Sequence, residues 1–596
     1  MSSSKIELSY IKDAPLDIET LAKQYAENIN SIQSPMNTSC ALKYNPFRIS
    51  QIQNYNPAYS RFFELNENNY NKITLNQQYT IRGNQLIDRE TNEPYERGIF
   101  FKFAPLLDPI RYMIGKYDYK DPSLKVLPTI HNSDTCFSKF ADINNVSYVD
   151  TFFCYLSSQL LSKHGVFNAI DFFGSYLGIQ ELFRVDVTDD LEYLQSSSFY
   201  SQHLNQEFYV ENSEYSNYYS GSKSNRQRIQ IDTSSSSRIS LDAEILDMVE
   251  NDPVNTENEP EPETETVYEK NAGKNKSTVS SATSNSTQDT HELNYSSDDD
   301  EPSGLDEQSD EQSEEQSEQE EEEEESHSSE EEPDIYAYIR EFPTQMICLE
   351  KCDGVLDYLL ADDDFDDKQI EACLFQIVMS LIIYGKAFYF THNDLHTNNI
   401  MYSETTEKYV YYKYKSKYYR VPTYGRIFKI IDFGRSIYRF NEQLFCSDSF
   451  AKTGDAYSQY NCEPYINCEK PTIEPNPSFD LCRLGCSMYD LVFEEYDEPY
   501  TTKKLSLVQE TVLRWCSDDN GKNVLYKRNG DERYPGFKLY KMIARNVHRH
   551  TPEEQLSFSL FSQFETSLKK LAKKSITDTK SVLYCVNIDD IPSYVK

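Results

Sequence analysis

Thr391-His392-Asn393-Asp394-Leu395-His396-Thr397-Asn398-Asn399, followed later by Ile430-Ile431-Asp432-Phe433-Gly434, supplies an aspartate, an asparagine five residues on and a second aspartate before Phe-Gly. Those residue types suit phosphoryl transfer. A substrate hydroxyl is a weak nucleophile; a carboxylate such as Asp394, within hydrogen-bond reach, orients it and takes its proton, help worth about 10²- to 10⁴-fold. Asn399 offers a neutral amide oxygen and Asp432 a charged one, the hard donors that clamp Mg²⁺ against the β- and γ-phosphates of ATP. Either motif alone is weak evidence. In register, one after a long helical pattern and the other after a strand-like run, they reinforce each other.

The elements that must position these groups can be read from patterning. Ile370 to Tyr389 has a long apolar helical pattern leading into the Asp394 loop, and Arg426 to Ile431 alternates as a strand would, ending at Asp432. Tyr409 to Tyr419 predicts an additional hairpin between the two motifs. Upstream, Tyr148 to Leu161 carries Val149, Phe152, Phe153, Leu156 and Leu160 at helical spacing and stops near Gly165. Gly98 to Phe103 reads as a strand, and Gln345 to Leu349 as a strand that turns at Cys352-Asp353-Gly354.

The two motifs resemble the eukaryotic-type serine/threonine protein kinase superfamily, whose catalytic loop reads H-R-D-x-x-x-x-N and whose magnesium loop reads D-F-G. Asn393 stands where Arg is usual, and His396 where Lys is typical of serine/threonine kinases. Asp-Leu-His, with Val421-Pro422-Thr423-Tyr424-Gly425 shortly before Asp432, is similar to the divergent haspin-type kinases and to kinase-like proteins of giant DNA viruses. The missing Arg implies activity independent of activation-loop phosphorylation.

The resemblance carries over further residues one by one. Asp480-Leu481-Cys482-Arg483-Leu484-Gly485 matches the helix start whose aspartate braces the catalytic loop, with the usual Trp replaced. Leu349 to Gly354 resembles the interlobe hinge, where backbone groups of Glu350 and Cys352 would contact adenine. Phe433 would pack behind the metal loop. Lys102, in Phe-Phe-Lys-Phe-Ala-Pro, resembles the lysine that pairs with the α- and β-phosphates; a lysine in an apolar strand is costly to bury without an anion, and the plainer alternative is an edge-strand lysine facing solvent. Its helical partner in the family is Glu. Here the helix offers Asp150, which reads equally as a charge favourable to the helix N-terminus. No GxGxxG precedes Lys102, and Gly83 and Gly98 are isolated. His392 reads as a packed structural imidazole, and Cys482 with Cys486 as small core residues.

Length and charge bound the rest. The chain has 596 residues and a formal charge of −40, most of it between Asp242 and Asp334. A generally acidic chain without clustered Lys and Arg is a poor binder of phosphate backbones, which argues against nucleic acid as a partner. Thirteen cysteines without a CxxC pair, and no secretory leader, point to reduced thiols in a cytoplasmic or nuclear setting, of a host cell or in a virion if the viral resemblance holds. The apolar stretch from Ile377 to Phe390 reads as a buried helix too short to span a membrane.

The expected fold is therefore α+β, a bilobal protein-kinase-like fold with a long disordered acidic insertion in the smaller lobe. Its boundaries are an N-terminal extension (1–54), the first part of the smaller lobe (55–193), the insert (194–334), last strands and hinge (335–350), a larger helical lobe (351–575) and a tail (576–596). The insert is too poor in apolar residues to offset chain entropy. Its Ser296, Ser297, Ser313 and Ser317 precede acidic residues and read either as acidophilic-kinase targets or as part of a solubilising spacer. The Lys569-Lys570 and Lys573-Lys574 pairs read as a solvated helix face.

The expected function is ATP- and Mg²⁺-dependent phosphorylation of a protein Ser or Thr, with Asp394 as base, Asn399 and Asp432 as metal ligands and Lys102 as phosphate anchor. Two alternatives stand beside it: a small-molecule kinase of the aminoglycoside or choline type, which also uses H-x-D-L-H-x-x-N, and a pseudokinase scaffold whose acidic insert recruits basic proteins.

Overall fold

The computed structural model describes residues 5–13, 15–32, 44–83, 85–211, 335–362, 364–465, 473–493, 504–527, 530–535, 538–567 and 585–596. Most of the acidic insert, with Ser296, Ser297, Ser313 and Ser317, lies outside the described residues, as do Lys569, Lys570, Lys573 and Lys574.

Alternating and β-branched runs of the first half form an antiparallel five-stranded sheet: β1 (Ile49–Gln53), β2 (Ile99–Pro105), β3 (Phe172–Asp186), β4 (Phe208–Val210) and β5 (Tyr336–Glu350). The spatial order is β1-β3-β5-β2, and β4 joins β5 beside β2. β3 runs the length of β5 on one side, from Phe172 opposite Leu349 to Asp186 opposite Tyr336. On the other side β2 pairs the C-terminal half, with Lys102 opposite Ile347. Among the described residues β2 has no second ladder partner; its aromatic side chains Phe101 and Phe103 pack edge-on against Phe47.

Helix α1 (Val146–His164) crosses this sheet and is buried over nearly all its length. Its start is fixed by Asn145, whose side chain accepts the Ser147 N–H, and its end by Gly165 in the left-handed conformation at φ 66°, where a Cβ would be unfavourable. The helical pattern read from Tyr148 to Leu161 is thus observed, one turn longer.

After β5 the chain turns through β6 (Gly354–Val355) into α2 (Asp367–Phe388), capped by the Asp366 side chain on the Gln369 N–H. This is the one helix among the described residues long and apolar enough to cross a membrane, and 83% of its apolar window is buried within the protein; it is longer than the apolar stretch read from the sequence. Beyond it, β7 (Ile400–Glu404) pairs β6 on one side and β10 (Arg426–Ile430) on the other. The hairpin between the two motifs is formed by β8 (Tyr409–Tyr414) and β9 (Lys417–Pro422). Helices α3 (Phe479–Val492), α4 (Leu507–Trp515) and α5 (Lys538–Asn546) complete the second half, with Cys482 and Cys486 buried on α3.

The architecture is mixed helix and sheet, and the folded part extends past three boundaries expected from composition. Strand β1 recruits the extension before residue 55, pairing Ile49 with Gln180. Order also continues beyond Glu192: helices cover Leu191–Ser196 and Ser198–His203, and β4 sets Phe208 opposite Ile339. The polar composition there concealed Tyr200 and Phe208, two buried aromatics that anchor the segment. At the C-terminus, β11 (Cys585–Asn587) runs parallel to β8, and the buried Tyr594 bonds through its hydroxyl to the Ile6 N–H and His164 Nε2.

Candidate active site

The Asp394 loop follows α2 directly, beginning with Tyr389 in the left-handed conformation at φ 50°. Asp480, at the start of α3, receives the N–H groups of His392 and Asn393 on its two oxygens at 2.8 and 2.9 Å. Two donors on a 2% exposed carboxylate make it a rigid brace. Burial pushes this carboxyl up to about 6, against the pull of His392 and the two N–H groups. His392 reaches the opposite way, its Nε2 2.8 Å from the Ile431 carbonyl. Since a carbonyl only accepts, Nε2 carries the proton and Nδ1 accepts the Asp394 N–H. The imidazole therefore ties the Asp394 loop to the segment bearing Asp432.

That tie is one of several. The Ile431 N–H donates to the Asn399 carbonyl at 3.0 Å, continuing the β7–β10 ladder in which Ile400 faces Ile430. Asn399, just before β7, and Asp432, just beyond β10, therefore stand at adjoining ends of two paired strands. The Asn399 amide nitrogen donates to the Asp394 carbonyl at 2.9 Å, which fixes its Oδ1 as the acceptor. An amide oxygen and a carboxylate are the donors Mg²⁺ accepts. Among the described residues no group of three or more His, Cys, Asp or Glu is suited to a metal, so an ion held by these two ligands would complete its shell with phosphate and water oxygens. The residues fit Mg²⁺ on those terms.

Asp432 adopts a left-handed backbone at φ 60° and pairs with Lys102 at 2.8 Å. Lys102 also reaches Asp150 on α1 at 2.9 Å, so the lysine turns inward between two carboxylates. The second oxygen of Asp150 accepts the Phe433 N–H at 2.9 Å. Asp150 thus pairs with the lysine from its place near the start of α1, and it clips the Asp432–Gly434 segment as well. Phe433 is fully buried and packs against Phe153 of α1, ring centroids 4.5 Å apart, with Tyr384, Phe390 and His392 around it. Gly434 is needed for this approach, because a Cβ there would fall 2.9 Å from Val146 Cγ2.

Among the described residues, two that no motif pointed to hold Asp394. Arg435 donates to its Oδ2 at 2.8 Å, and the Tyr540 hydroxyl of α5 donates to its Oδ1 at 2.9 Å. Tyr540 in turn accepts from Arg483 Nε at 2.8 Å. Lys102, Asp150, Asp394, Asp432 and Arg435 line one cavity, together with residues following β2 and preceding α1. His396, two positions after Asp394, is 2% exposed. Burial, aided by the Arg483 guanidinium, brings its imidazole down to about 3, so it is neutral at physiological pH. It caps the turn at Thr397–Asn399 by accepting the Asn398 N–H.

Glu350, the last residue of β5, and Cys352, just after it, are not among the described residues lining that cavity. The Glu350 side chain is fully buried, paired with Lys429 of β10 at 2.6 Å and with Arg97, and accepts the Asp171 N–H at 2.9 Å. Its own N–H goes to the Asp171 carbonyl. Cys352 is buried, which pushes its thiol up to about 12. The Glu350 side chain thus joins the sheet to β10, a role the sequence did not reveal.

No protein-family model matches this chain. No curated protein matches it either.

Proposed function

We propose that the chain is an ATP- and Mg²⁺-dependent protein kinase that transfers the γ-phosphoryl group to a serine or threonine hydroxyl, on a bilobal protein-kinase-like fold. The observation that carries this reading is the meeting of Lys102, Asp150 and Asp432 in one cavity with Asp394, from four separate parts of the chain. The sheet with α1 packed on it would form the smaller lobe, the segment after Glu350 the hinge, and the helices from α2 onward the larger lobe.

In this reading Lys102 is pre-aligned by two carboxylates and anchors the α- and β-phosphates. Bound Mg²⁺ supplies charge neutralisation along the phosphates and would be held by Asn399 and Asp432. Asp394 orients the acceptor hydroxyl and takes its proton as the O–P bond forms, while ADP departs with the electrons of the broken bridge. Asp480 and His392 keep the base in register with the metal loop, so little reorganisation accompanies the reaction.

The test is incubation of the purified chain with labelled ATP and Mg²⁺ beside a basic protein or a panel of metabolites, with Asp394→Ala as control. Label on protein Ser or Thr that disappears in Asp394→Ala supports the reading. Label on a metabolite alone favours a small-molecule kinase. No transfer, together with no Mg·ATP thermal shift, favours a scaffold.

A further inference from the structure

A phosphoryl group in flight carries negative charge on three equatorial oxygens, and a site that transfers it needs a cation facing those oxygens on the acceptor side. His396, beside the base, is buried, and its Nδ1 is turned to the Asn398 N–H. Among the described residues three cations line the cavity. Lys139 is tied to Asp448 at 2.5 Å, and Lys102 lies between Asp150 and Asp432 on the nucleotide side. Arg435 alone of the three pairs with Asp394, Nη1 on Oδ2 at 2.8 Å, and its Nη2 stands 3.9 Å from Asp455.

The backbone presents this guanidinium firmly. The Arg435 carbonyl accepts from Asn393 Nδ2 at 3.1 Å, and the next N–H, of Ser436, closes a turn on the Phe433 carbonyl at 3.0 Å. A guanidinium is planar and carries five donors, so one arm can stay on a carboxylate while the other bonds a phosphate oxygen.

We propose that Arg435 is a catalytic residue of the transfer step, bridging Asp394 and an equatorial oxygen of the migrating phosphoryl group. The inference rests on the kinase reading above. The acceptor oxygen attacks phosphorus, the bond to the β-phosphate bridging oxygen breaks, ADP leaves with that electron pair, and the acceptor proton passes to Asp394. Arg435 remains protonated throughout and neutralises charge that gathers as Asp394 and phosphoryl oxygens approach one another.

The experiment compares wild type, Asp394→Ala, Arg435→Ala and Arg435→Lys for kcat, KM for ATP, melting temperature and calorimetric affinity for Mg·ADP with and without aluminium fluoride. Arg435→Ala should lower kcat by about 10²- to 10³-fold, the loss typical of one transition-state donor, with KM for ATP and ADP affinity within about threefold. It should also lose the extra affinity for ADP with aluminium fluoride, regain part of its rate with added methylguanidine, and trail Arg435→Lys. A folded Arg435→Ala enzyme within about threefold of wild-type kcat, with fluoride-enhanced ADP binding intact, overturns the proposal while an inactive Asp394→Ala keeps the kinase reading. Should Arg435→Ala fail to fold, Arg435→Lys decides: wild-type kcat and fluoride-enhanced binding there overturn the proposal, and loss of both sustains it. Transfer undiminished in Asp394→Ala, or absent in wild type, removes the kinase reading and this inference together.

Discussion

Tyr540 and Asp394, 146 residues apart, are joined by a buried hydrogen bond of 2.9 Å from the tyrosine hydroxyl to Oδ1. The same hydroxyl accepts Arg483 Nε at 2.8 Å, so the charge of Arg483 is relayed to the carboxylate through a fixed ring. Tyr540→Phe keeps the ring and removes the relay, leaving a carboxylate oxygen and a guanidinium N–H each short of a partner. A lost hydrogen bond to a charged group is worth about 1.5 kcal/mol or more, which corresponds to roughly a tenfold fall in kcat. KM for ATP should stay within about twofold, because Tyr540 is not among the residues lining the cavity. Steady-state kinetics of the folded variant checks both; an unchanged kcat would show that Arg435 and the loop suffice to orient the base.

Asp150 holds two things at once, the Lys102 ammonium at 2.9 Å and the Phe433 N–H at 2.9 Å. Asp150→Asn can still accept the N–H but withdraws one of the two charges that align Lys102. The lysine then leans on Asp432, in competition with the Mg²⁺ of the proposed kinase reaction. The expected result is a rise of about tenfold in KM for Mg·ATP, steeper at low Mg²⁺ than at high, with a melting temperature near that of wild type. Titrating Mg²⁺ at fixed ATP measures it; parallel Mg²⁺ dependences in the two proteins would contradict this role.

Asp480 predicts a stability effect. Asp480→Ala leaves the His392 and Asn393 N–H groups buried without their acceptor, and each such donor costs about 1–3 kcal/mol. A drop of several degrees in melting temperature is expected, with Asp480→Asn intermediate because its amide retains one accepting oxygen. Calorimetric scans of the three proteins give the order directly.

What could be read from the sequence was local. Asp394, Asn399 and Asp432 belong to two short motifs whose internal spacing already fixes how loop and ladder meet, and the helices ending at His164 and Phe388 announce themselves by apolar spacing and a stop. Lys102 stands out by its apolar strand, but nothing within the strand says that its partner is Asp150, 48 positions along. Tyr540, Arg483 and Arg435 converge on Asp394 only because α3, α5 and the metal loop pack together, and no periodicity encodes that. The Lys429–Glu350–Arg97 group is hidden for the same reason: Lys429 and Glu350 lie in strands and Arg97 just before β2, and the packed neighbours decide whether each faces water or an opposite charge. Composition misplaced the edge of the folded region near Ser196 because a few well-placed aromatics, Tyr200 and Phe208, outweigh a polar average.

The buried group behind β5 yields a pH prediction. Asp171 is 4% exposed, and burial, then the neighbouring Glu350 carboxylate, push its carboxyl up to about 6, although Arg97 and Lys429 pull the other way. The unfolded chain returns it to 3.8. A folded value above the unfolded one means that the folded state binds the proton more tightly, so this stabilising contribution is complete below about 3.8 and is lost as pH rises through 6. At neutral pH Asp171 is a liability of up to about 3 kcal/mol. Asp171→Asn can still accept from Ser158 Oγ and the Phe172 N–H, as Asp171 Oδ1 does, without ionising. It should therefore melt at or above wild type at pH 7.5, with the gap shrinking or reversing at pH 4.5. Asp108 and Asp480, both also raised to about 6, titrate alike in both proteins and cancel in the difference. A variant less stable at pH 7.5 and level with wild type at pH 4.5 would mean that Arg97 and Lys429 outweigh burial, and that ionised Asp171 strengthens the fold.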